Sequence, residues 1–248
     1  MAELTETGDE QAQVPAQAEP IDWHVAQVVG AARYTWAGRL LKRLIDVVAS
    51  SILLVVLTPV FALIALMIRL DSPGPAVFRQ SRVGFHERPF TIWKFRTMTV
   101  DNDDVEHRRY VTAMLRGEAE PDQPLLDARG EAVYKLVGDT RITRVGSMLR
   151  RTSLDELPQL VNVLEGSMSL VGPRPSLDYE VAEYSARQRL RATAVPGMTG
   201  LWQVEGRNSM TMNEALDLDL RYVESCHLLL DLRILVRTAR VMVSSRGH

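Results

Sequence analysis

The longest apolar run of the chain extends from Val47 to Ile68 and contains no charged residue. As one straight helix it would be roughly 33 Å long, enough to cross a bilayer core of about 30 Å. Pro59 lies near its centre, and a proline inside a helix removes a backbone donor and clashes with the preceding turn. The hydroxyl of Thr58 can bond to the freed carbonyl groups. The pattern therefore predicts two helical segments joined by a sharp bend at Thr58 and Pro59.

Positive charges flank this run on both sides. The flanking residues are Arg39, Lys42 and Arg43 before it and Arg69, Arg79 and Arg82 after it. Cytoplasmic flanks of membrane segments are enriched in Lys and Arg, so both ends are expected on the cytoplasmic side. We interpret residues 39–71 as a re-entrant membrane helix. A kinked helix that spans the bilayer and a buried helix of a soluble protein are the alternatives.

The pattern before the apolar run is polar and aperiodic. Residues 1–38 are rich in Ala, Gln, Glu and Pro and show no sustained apolar repeat. This composition predicts a flexible N-terminal arm. The arm lacks the basic start, apolar run and small-residue cleavage site of a signal peptide.

The pattern after the apolar run is mixed. Alternation at residues 76–78 and 90–93, around a loop at Gly84, predicts a β-hairpin. A short helix is expected around residues 106–115. Residues 228–243 predict a C-terminal helix with Arg233, Arg237 and Arg240 on one side and Leu228, Leu235 and Met242 opposite. This helix either lies in the membrane interface or packs on the rest of the domain, and the pattern leaves both open.

Composition narrows the class of protein. The hydrophobic fraction of 46% is enough for a sizeable core, and the net charge of −2 argues against a general nucleic-acid binder. Cys226 is the single cysteine, so no internal disulfide can form. No CxxC or paired-histidine spacing indicates a zinc site.

Two adjacent carboxylates, Asp155 and Glu156, occur in the stretch TSLDELPQL. As a helix, this segment places Leu154, Leu157, Leu160, Val161 and Leu164 on one stripe and Asp155, Glu156, Gln159 and Asn162 on the other side. Ser153 and Glu156 fit a capping box, which is the structural interpretation. Pro158 indicates that regular helix begins later or is distorted there. The alternative is that one carboxylate is a nucleophile.

Arginines surround this stretch in the sequence. Arg141, Arg144, Arg150 and Arg151 precede it, and Arg174 follows it between two prolines. Prolines on both sides restrict the backbone, and a fixed guanidinium fork suits phosphate or carboxylate recognition. Solvated arginines or arginines in contact with anionic lipid headgroups are the alternative.

Several long motifs of the chain strongly resemble the bacterial sugar transferase family, the monotopic polyprenyl-phosphate phosphoglycosyltransferases. They are GDTRITRVGSMLRRTSLDELPQLVNVLEGSMSLVGPRP, FRQSRVG, FTIWKFRTM and PGMTGLWQVEGRN. The resemblance runs from about Lys42 to Arg240 and includes the proline-broken membrane segment. The extra N-terminal transmembrane helices of longer family members are not found here, so the chain resembles a short form built around the catalytic region.

The resemblance implies an activity. The family transfers a sugar-1-phosphate from a nucleotide sugar, usually a UDP-sugar, to undecaprenyl phosphate and releases UMP. Members initiate exopolysaccharide or glycoconjugate assembly at the cytoplasmic face of the bacterial inner membrane. A membrane-tethered scaffold or regulatory subunit that kept the fold and lost activity is the alternative. The sugar, the pathway and the oligomeric state are left open.

The resemblance also implies roles for particular residues. Asp155 is expected to be the nucleophile, and Glu156 its neighbour in a Mg²⁺ site made by both carboxylates. Arg150 and Arg174 match positions implicated in phosphate and donor binding, and Lys94 matches a basic site residue. The expected fold is α+β and mainly α, with an arm at 1–38, a re-entrant membrane helix at 39–71, and a catalytic domain at 72–248 that has a small β-element and a C-terminal interfacial helix.

Overall fold

The computed structural model describes residues 34–99, 105–116, 125–126, 132–133, 141–205 and 210–244. Most of the predicted arm, residues 1–33, lies outside these ranges. The first helix already begins at Trp36, within the arm's expected bounds.

The described fold is α+β and mainly helical. The helices are α1 Trp36–Val56, α2 Thr58–Asp71, α3 Val105–Arg116, α4 Arg144–Thr152, α5 Gln159–Glu165, α6 Asp178–Val181, α7 Ala186–Arg189, α8 Leu201–Glu205, α9 Met212–Ser225 and α10 Leu228–Ser244. The strands are β1 Val77–Val83, β2 Pro89–Phe95, β3 Leu125–Leu126, β4 Ala132–Val133, β5 Ser169–Val171 and β6 Gly197–Thr199. Short 3-10 turns occur at Phe85–Glu87, Leu154–Glu156 and Leu190–Thr193.

The bend predicted at Thr58 and Pro59 is confirmed. Helices α1 and α2 meet there at 61°, and the Thr58 hydroxyl donates to the carbonyl oxygen of Leu54 at 2.8 Å. Among the described residues no single helix has the length and hydropathy of a membrane span. The bent pair α1 and α2 meets these criteria together, on length and composition alone.

The bent pair is apolar on its exposed side. Large exposed side chains include Leu40, Leu44, Val48, Ile52, Val56, Leu63, Leu66 and Leu70. The buried residues of α1 are polar, Asp46 and Ser50. Burying polar groups and exposing large apolar ones reverses the pattern of a helix in a water-soluble protein.

Three charged residues attach α1 to the rest of the fold, and we call Lys42, Arg43 and Asp46 the α1 clamp. Lys42 donates to the carbonyl of Val171 at 3.0 Å and pairs with Asp231 at 2.6 Å. Arg43 donates to the carbonyls of Val163 and Leu164 at 2.5 and 2.7 Å. Asp46 accepts from the Ser169 hydroxyl at 2.8 Å and the Leu170 N–H at 3.1 Å. The clamp therefore holds the backbone of residues 163–171.

The predicted β-hairpin is confirmed as β1 and β2, which pair antiparallel from Val77 opposite Phe95 to Val83 opposite Pro89. Asn162 of α5 fastens this hairpin to the core. Its side-chain amide donates to the carbonyl of Thr91 at 2.7 Å and accepts from the Trp93 N–H at 3.0 Å. The short helix expected around residues 106–115 is also confirmed, as α3.

Strands β5 and β6 run parallel, with Ser169 opposite Gly197 and Val171 opposite Thr199. The two backbones approach closely after β5, since a Cβ on Gly197 would lie 2.0 Å from the backbone nitrogen of Gly172. The main buried cluster packs around these strands and includes Leu160, Val163, Met168, Leu170, Val171, Tyr222 and Ile234. The core therefore lies directly behind α5 and the loop that follows β5.

Helix α10 packs on the domain through Asp231, Ile234 and Thr238, of which Asp231 and Ile234 are buried. Leu235, a member of the apolar stripe expected from the sequence, also packs against the core cluster, together with Leu230. The outer side carries exposed Leu229 and Leu232. Packing on the domain is thus established for α10.

Candidate active site

The two adjacent carboxylates lie in a 3-10 turn between α4 and α5. Ser153 starts this turn in the left-handed region, with φ 57° and ψ 18°, and thereby ends α4. Leu154–Glu156 forms the turn, and Pro158 precedes the first residue of α5. A non-glycine residue in this conformation carries backbone strain, which is common at functional sites. The interruption expected from Pro158 is confirmed.

Two expectations for this segment are wrong. The Ser153 side chain makes no capping hydrogen bond, and the Glu156 carboxylate bonds to Lys94 instead. Gln159 and Asn162, expected on the outward side, are buried. The reason is that the turn and α5 are not one continuous helix, and that β2 covers the side on which the polar residues lie.

Glu156 is held by a cation from the hairpin. Lys94 on β2 places its Nζ 2.9 Å from Oε1 of Glu156. Burial alone would raise the pKa of Glu156, but Lys94, and after it Arg174, outweigh burial and hold that pKa below its ordinary value. Glu156 is therefore ionised at neutral pH and fixed in place.

Asp155 differs from its neighbour because its carboxylate has no hydrogen bond or ion pair with another side chain in the described part of the chain. Burial, and then the negative charge of Glu156, raise the pKa of Asp155 to about 6, although Lys94 and Arg150 act in the opposite direction. At neutral pH it is still mostly ionised. A carboxylate that is charged, more basic than usual and unpaired has the properties of a nucleophile.

Arg174 lies in the loop after β5, between Pro173 and Pro175, and its side chain is exposed. It borders a small cleft that Lys94 and Glu156 also line. The other lining residues are Arg82, Ile92, Gln159, Pro175, Gly197, Met198 and Gln203. Among all ten lining residues, Arg82, Lys94 and Arg174 are cationic and Glu156 is a carboxylate, so the cleft favours an anionic ligand.

From the sequence, Arg82 was counted only among the positive charges that flank the apolar run and was given no role in the site, although it lies in the motif FRQSRVG. It is buried, and one of its terminal nitrogens donates to Oε1 of Gln80 at 2.8 Å. Burial, and then the nearby Arg174, lower the pKa of Arg82 to about 10. The period-2 alternation of β1 could have shown that Gln80 and Arg82 share one face of the hairpin.

Arg150, at the end of α4, does not line this cleft. Its Nε donates to the Thr97 hydroxyl at 2.9 Å, and its charge lowers the pKa of Asp155. Asp155 does not line the cleft either. The structure thus brings Lys94, Glu156 and Arg174 together in the cleft and places Asp155 next to Glu156, where the charges of Lys94 and Arg150 act on it. Thr58 and Pro59 belong to the bend.

The pair of carboxylates fits the expected Mg²⁺. Carboxylate oxygens are the ligands that Mg²⁺ prefers, and Asp155 has no side-chain partner that would have to be displaced. Burial, and then the charge of Glu156, raise the pKa of Asp155, and a nearby cation would stabilise its ionised form. No group of three or more His, Cys, Asp or Glu residues suited to a metal occurs in the described ranges. A bound ion would therefore depend on these two carboxylates together with substrate oxygens and water.

Comparison with known proteins places this site in a family. The model of the bacterial sugar transferase family matches residues 37–245. The chain belongs to that family. The match covers α1, the hairpin, both carboxylates and the loop that carries Arg174.

Curated members of the bacterial sugar transferase family align over most of the chain. The undecaprenyl-phosphate galactose phosphotransferase of Salmonella typhimurium is 39% identical over 211 residues, which are 85% of this chain and 42% of that protein. The UDP-glucose:undecaprenyl-phosphate glucose-1-phosphate transferase of Caulobacter vibrioides is 40% identical, over 82% of this chain and 70% of that protein. The exopolysaccharide production protein ExoY of Rhizobium meliloti is 36% identical, over 85% and 88%. The chain thus spans less than half of the Salmonella relative and most of ExoY.

Proposed function

We propose that this protein transfers a sugar-1-phosphate from a UDP-sugar to undecaprenyl phosphate and releases UMP, as a step in exopolysaccharide or glycoconjugate assembly. The observation that carries the proposal is the Asp155 carboxylate, which has no side-chain partner among the described residues and directly precedes Glu156, a residue that lines a cationic cleft. The names of the Salmonella and Caulobacter relatives support the same reaction class and leave glucose and galactose as the first sugars to test.

The first step is nucleophilic attack by Asp155. Its carboxylate oxygen bonds to the phosphorus that carries the sugar, the bond from that phosphorus to the UMP oxygen breaks, and UMP leaves with the bonding electron pair. Arg174 and Lys94, with Arg82 behind them, offset the repulsion between the carboxylate and the diphosphate. UMP is a good leaving group, so no general acid is needed.

The second step regenerates the enzyme. A phosphate oxygen of undecaprenyl phosphate attacks the same phosphorus, the bond to Asp155 breaks, and the lipid diphosphate sugar departs. Mg²⁺ held by Asp155 and Glu156 would supply charge neutralisation at the diphosphate. Glu156 keeps its orientation through Lys94, so the side chain beside the nucleophile does not move between the two steps.

The helix pair α1 and α2 accounts for access to the lipid substrate. We propose that it enters the cytoplasmic leaflet of the inner membrane and returns at the bend, so that the catalytic domain lies at the membrane surface. The apolar exposed side of the pair and the 61° bend support this arrangement. The exposed Leu229 and Leu232 of α10 would face the same interface.

Turnover is tested with purified protein, Mg²⁺, undecaprenyl phosphate and a panel of UDP-sugars, with UMP as the readout. We expect UMP from one or a few donors and, when the acceptor is omitted, a sugar phosphate bound to Asp155 that intact-mass analysis detects. No UMP from any donor would support the inactive scaffold. Turnover in which the sugar phosphate never becomes bound to Asp155 would refute the two-step course.

Topology is tested with engineered cysteines, because native Cys226 is buried and unsuited to labelling. In a Cys226→Ala background, Arg39→Cys at the start of α1 and Asp217→Cys on α9 are both at exposed positions. A re-entrant pair predicts that both label from the cytoplasmic side. Labelling of the two positions from opposite sides would show a spanning helix.

A further inference from the structure

The loop that carries Arg174 contains two prolines, and at these two positions only the backbone carbonyl can form a hydrogen bond. Pro173 and Pro175 have no N–H, so the usual ladder of backbone bonds is impossible there. Each of the four carbonyls from Pro173 to Ser176 accepts a hydrogen bond from a residue distant in sequence. Those of Pro173, Arg174, Pro175 and Ser176 accept from Gly197 N at 2.8 Å, Arg191 Nη2 at 2.6 Å, Arg82 Nη1 at 3.4 Å and Val83 N at 2.8 Å.

Arg191 makes the central one of these contacts. Its guanidinium also donates to the Ser176 hydroxyl and to the carboxylate of Asp219 on α9. Arg191 is only 7% exposed and Asp219 only 1%. The Ser176 hydroxyl lies 3.0 Å from the hydroxyl of Tyr184, so the second loop contact of Arg191 is itself held.

A buried ion pair of this kind is weak evidence for a role in stability alone. The desolvation of two charges offsets most of their attraction, and well-packed apolar residues often serve as well. The planar fork of arginine, however, bonds to two loop residues and a carboxylate from two nitrogens held in one rigid plane, whereas a lysine would have to direct all of its donors from a single nitrogen. The arrangement is therefore better explained by the geometry that it imposes on the loop.

We propose that Arg191, oriented by Asp219, is a positioning residue that holds the proline-flanked loop so that Arg174 borders the cleft opposite Lys94 and Glu156. The inference rests on the proposed function, in which Arg174 binds the diphosphate of the UDP-sugar. Arg191 itself does not line the cleft that contains Glu156. Arg191 does line a second cavity, together with Arg174 and Tyr184. In this proposal its effect on the diphosphate runs through Arg174.

The first test compares Arg191→Lys and Asp219→Asn with two control variants, Arg187→Lys and Asp217→Asn. The controls are exposed residues on α7 and α9 and make the same chemical changes. Binding of UDP, without lipid, is measured by calorimetry. We expect the two test variants to weaken UDP binding about tenfold, and to raise KM for the UDP-sugar but not for undecaprenyl phosphate. The controls should match the wild type.

The second test is a double-mutant cycle with Arg174→Ala. If Arg191 acts through Arg174, then adding Arg191→Lys to Arg174→Ala should cause little further loss of UDP binding. Losses that multiply in the double variant, or test variants that bind UDP like the wild type, would overturn the inference.

Folding is checked by thermal unfolding of every variant. Ser176→Ala removes one acceptor of the Arg191 guanidinium and keeps the ion pair with Asp219, so it provides the test if Arg191→Lys and Asp219→Asn both fail to fold. We expect Ser176→Ala to weaken UDP binding a few-fold. Unchanged UDP binding would overturn the inference. A wild type that neither binds UDP nor releases UMP would overturn the proposed function, and this inference with it. A wild type that does both, with unaffected variants, would overturn the inference alone.

Discussion

The α1 clamp and the candidate active site use charged side chains in opposite ways. In the clamp, Asp46 is 5% exposed and accepts from the Ser169 hydroxyl and the Leu170 N–H. In the turn after α4, Asp155 is partly buried, has no partner among the described side chains, and has its pKa raised to about 6. A buried charge with partners serves structure, whereas one left without partners is available for chemistry at a cost in stability.

The two sides of α1, the first helix of the bent pair, also differ in this way. The apolar exposed side of α1 is suited to lipid, and its polar side is committed to the protein through the clamp. Because the clamp bonds to residues 163–171, between the two adjacent carboxylates and the Arg174 loop, the helix pair is part of the framework of the domain and does not merely tether it.

The largest expected effect separates the two aspartates by activity. Asp155→Asn should reduce UMP release by about 10³-fold or more, because the nucleophile is removed. The folded protein should not be destabilised, since no partner of Asp155 is left unpaired. UMP release and chemical unfolding in detergent micelles are the measurements, with Asp217→Asn as control. Full turnover by Asp155→Asn would contradict the assignment.

The next largest effect distinguishes Asp46 from Asp155 by the free energy of unfolding. Asp46→Ala should lower the free energy of unfolding by about 2–4 kcal/mol, because the Ser169 hydroxyl and the Leu170 N–H lose their buried acceptor. Turnover per folded molecule should fall far less than in Asp155→Asn. Asp217→Ala, at an exposed position, is the control. A collapse of turnover without loss of stability would place Asp46 in the chemistry and remove the contrast.

A third effect is the pH dependence of stability that the unpaired Asp155 causes. A folded-state pKa above the unfolded value means that Asp155 favours folding only when protonated, so its favourable contribution is present below about pH 4 and is lost as the pH rises through about 6. Asp155→Asn should therefore be more stable than the wild type by about 1–3 kcal/mol at pH 7.5 and nearly equal to it at pH 4. Unfolding in EDTA at both pH values tests this. A difference independent of pH would show that ionisation is not its source.

The smallest effect concerns the bend. Thr58→Val removes the hydroxyl that bonds to the Leu54 carbonyl and should cost about 0.5–1.5 kcal/mol of unfolding free energy. Thr58→Ser keeps the hydroxyl and should lie close to the wild type. The same unfolding assay compares the three proteins. Equal losses in both variants would mean that the methyl group, not the hydrogen bond, matters at the bend.

Features that depend on local pattern were predictable. The bend follows from Pro59, the hairpin from alternation around Gly84, and the interruption before α5 from Pro158. Each depends on backbone rules that act within a few residues. The pair of carboxylates and Arg174 were also identified as candidate site residues, because of the resemblance that their motifs carry.

Features that depend on distant partners were not predictable in the same way. Lys42 and Arg43 look like flanking membrane charges in the sequence, yet both bond to the protein interior, and Arg82 is buried. Arg39, Arg69 and Arg79 are the flanking charges that remain exposed, and a cytoplasmic position of both ends of the apolar run rests on them. Helical periodicity likewise placed Asn162 outside, because it contains no information that β2 packs there.

The sequence by itself determined the family, the broken apolar segment and the candidate nucleophile, because motifs, proline positions and hydropathy are properties of neighbouring residues. Only the tertiary structure decided that Lys94 holds Glu156, that Asp155 remains unpaired, and that Arg191 fixes the Arg174 loop. The physical reason is that the charge state and orientation of a side chain depend on burial and on the nearest partners. Those partners come from segments far apart in the chain, which only folding brings together.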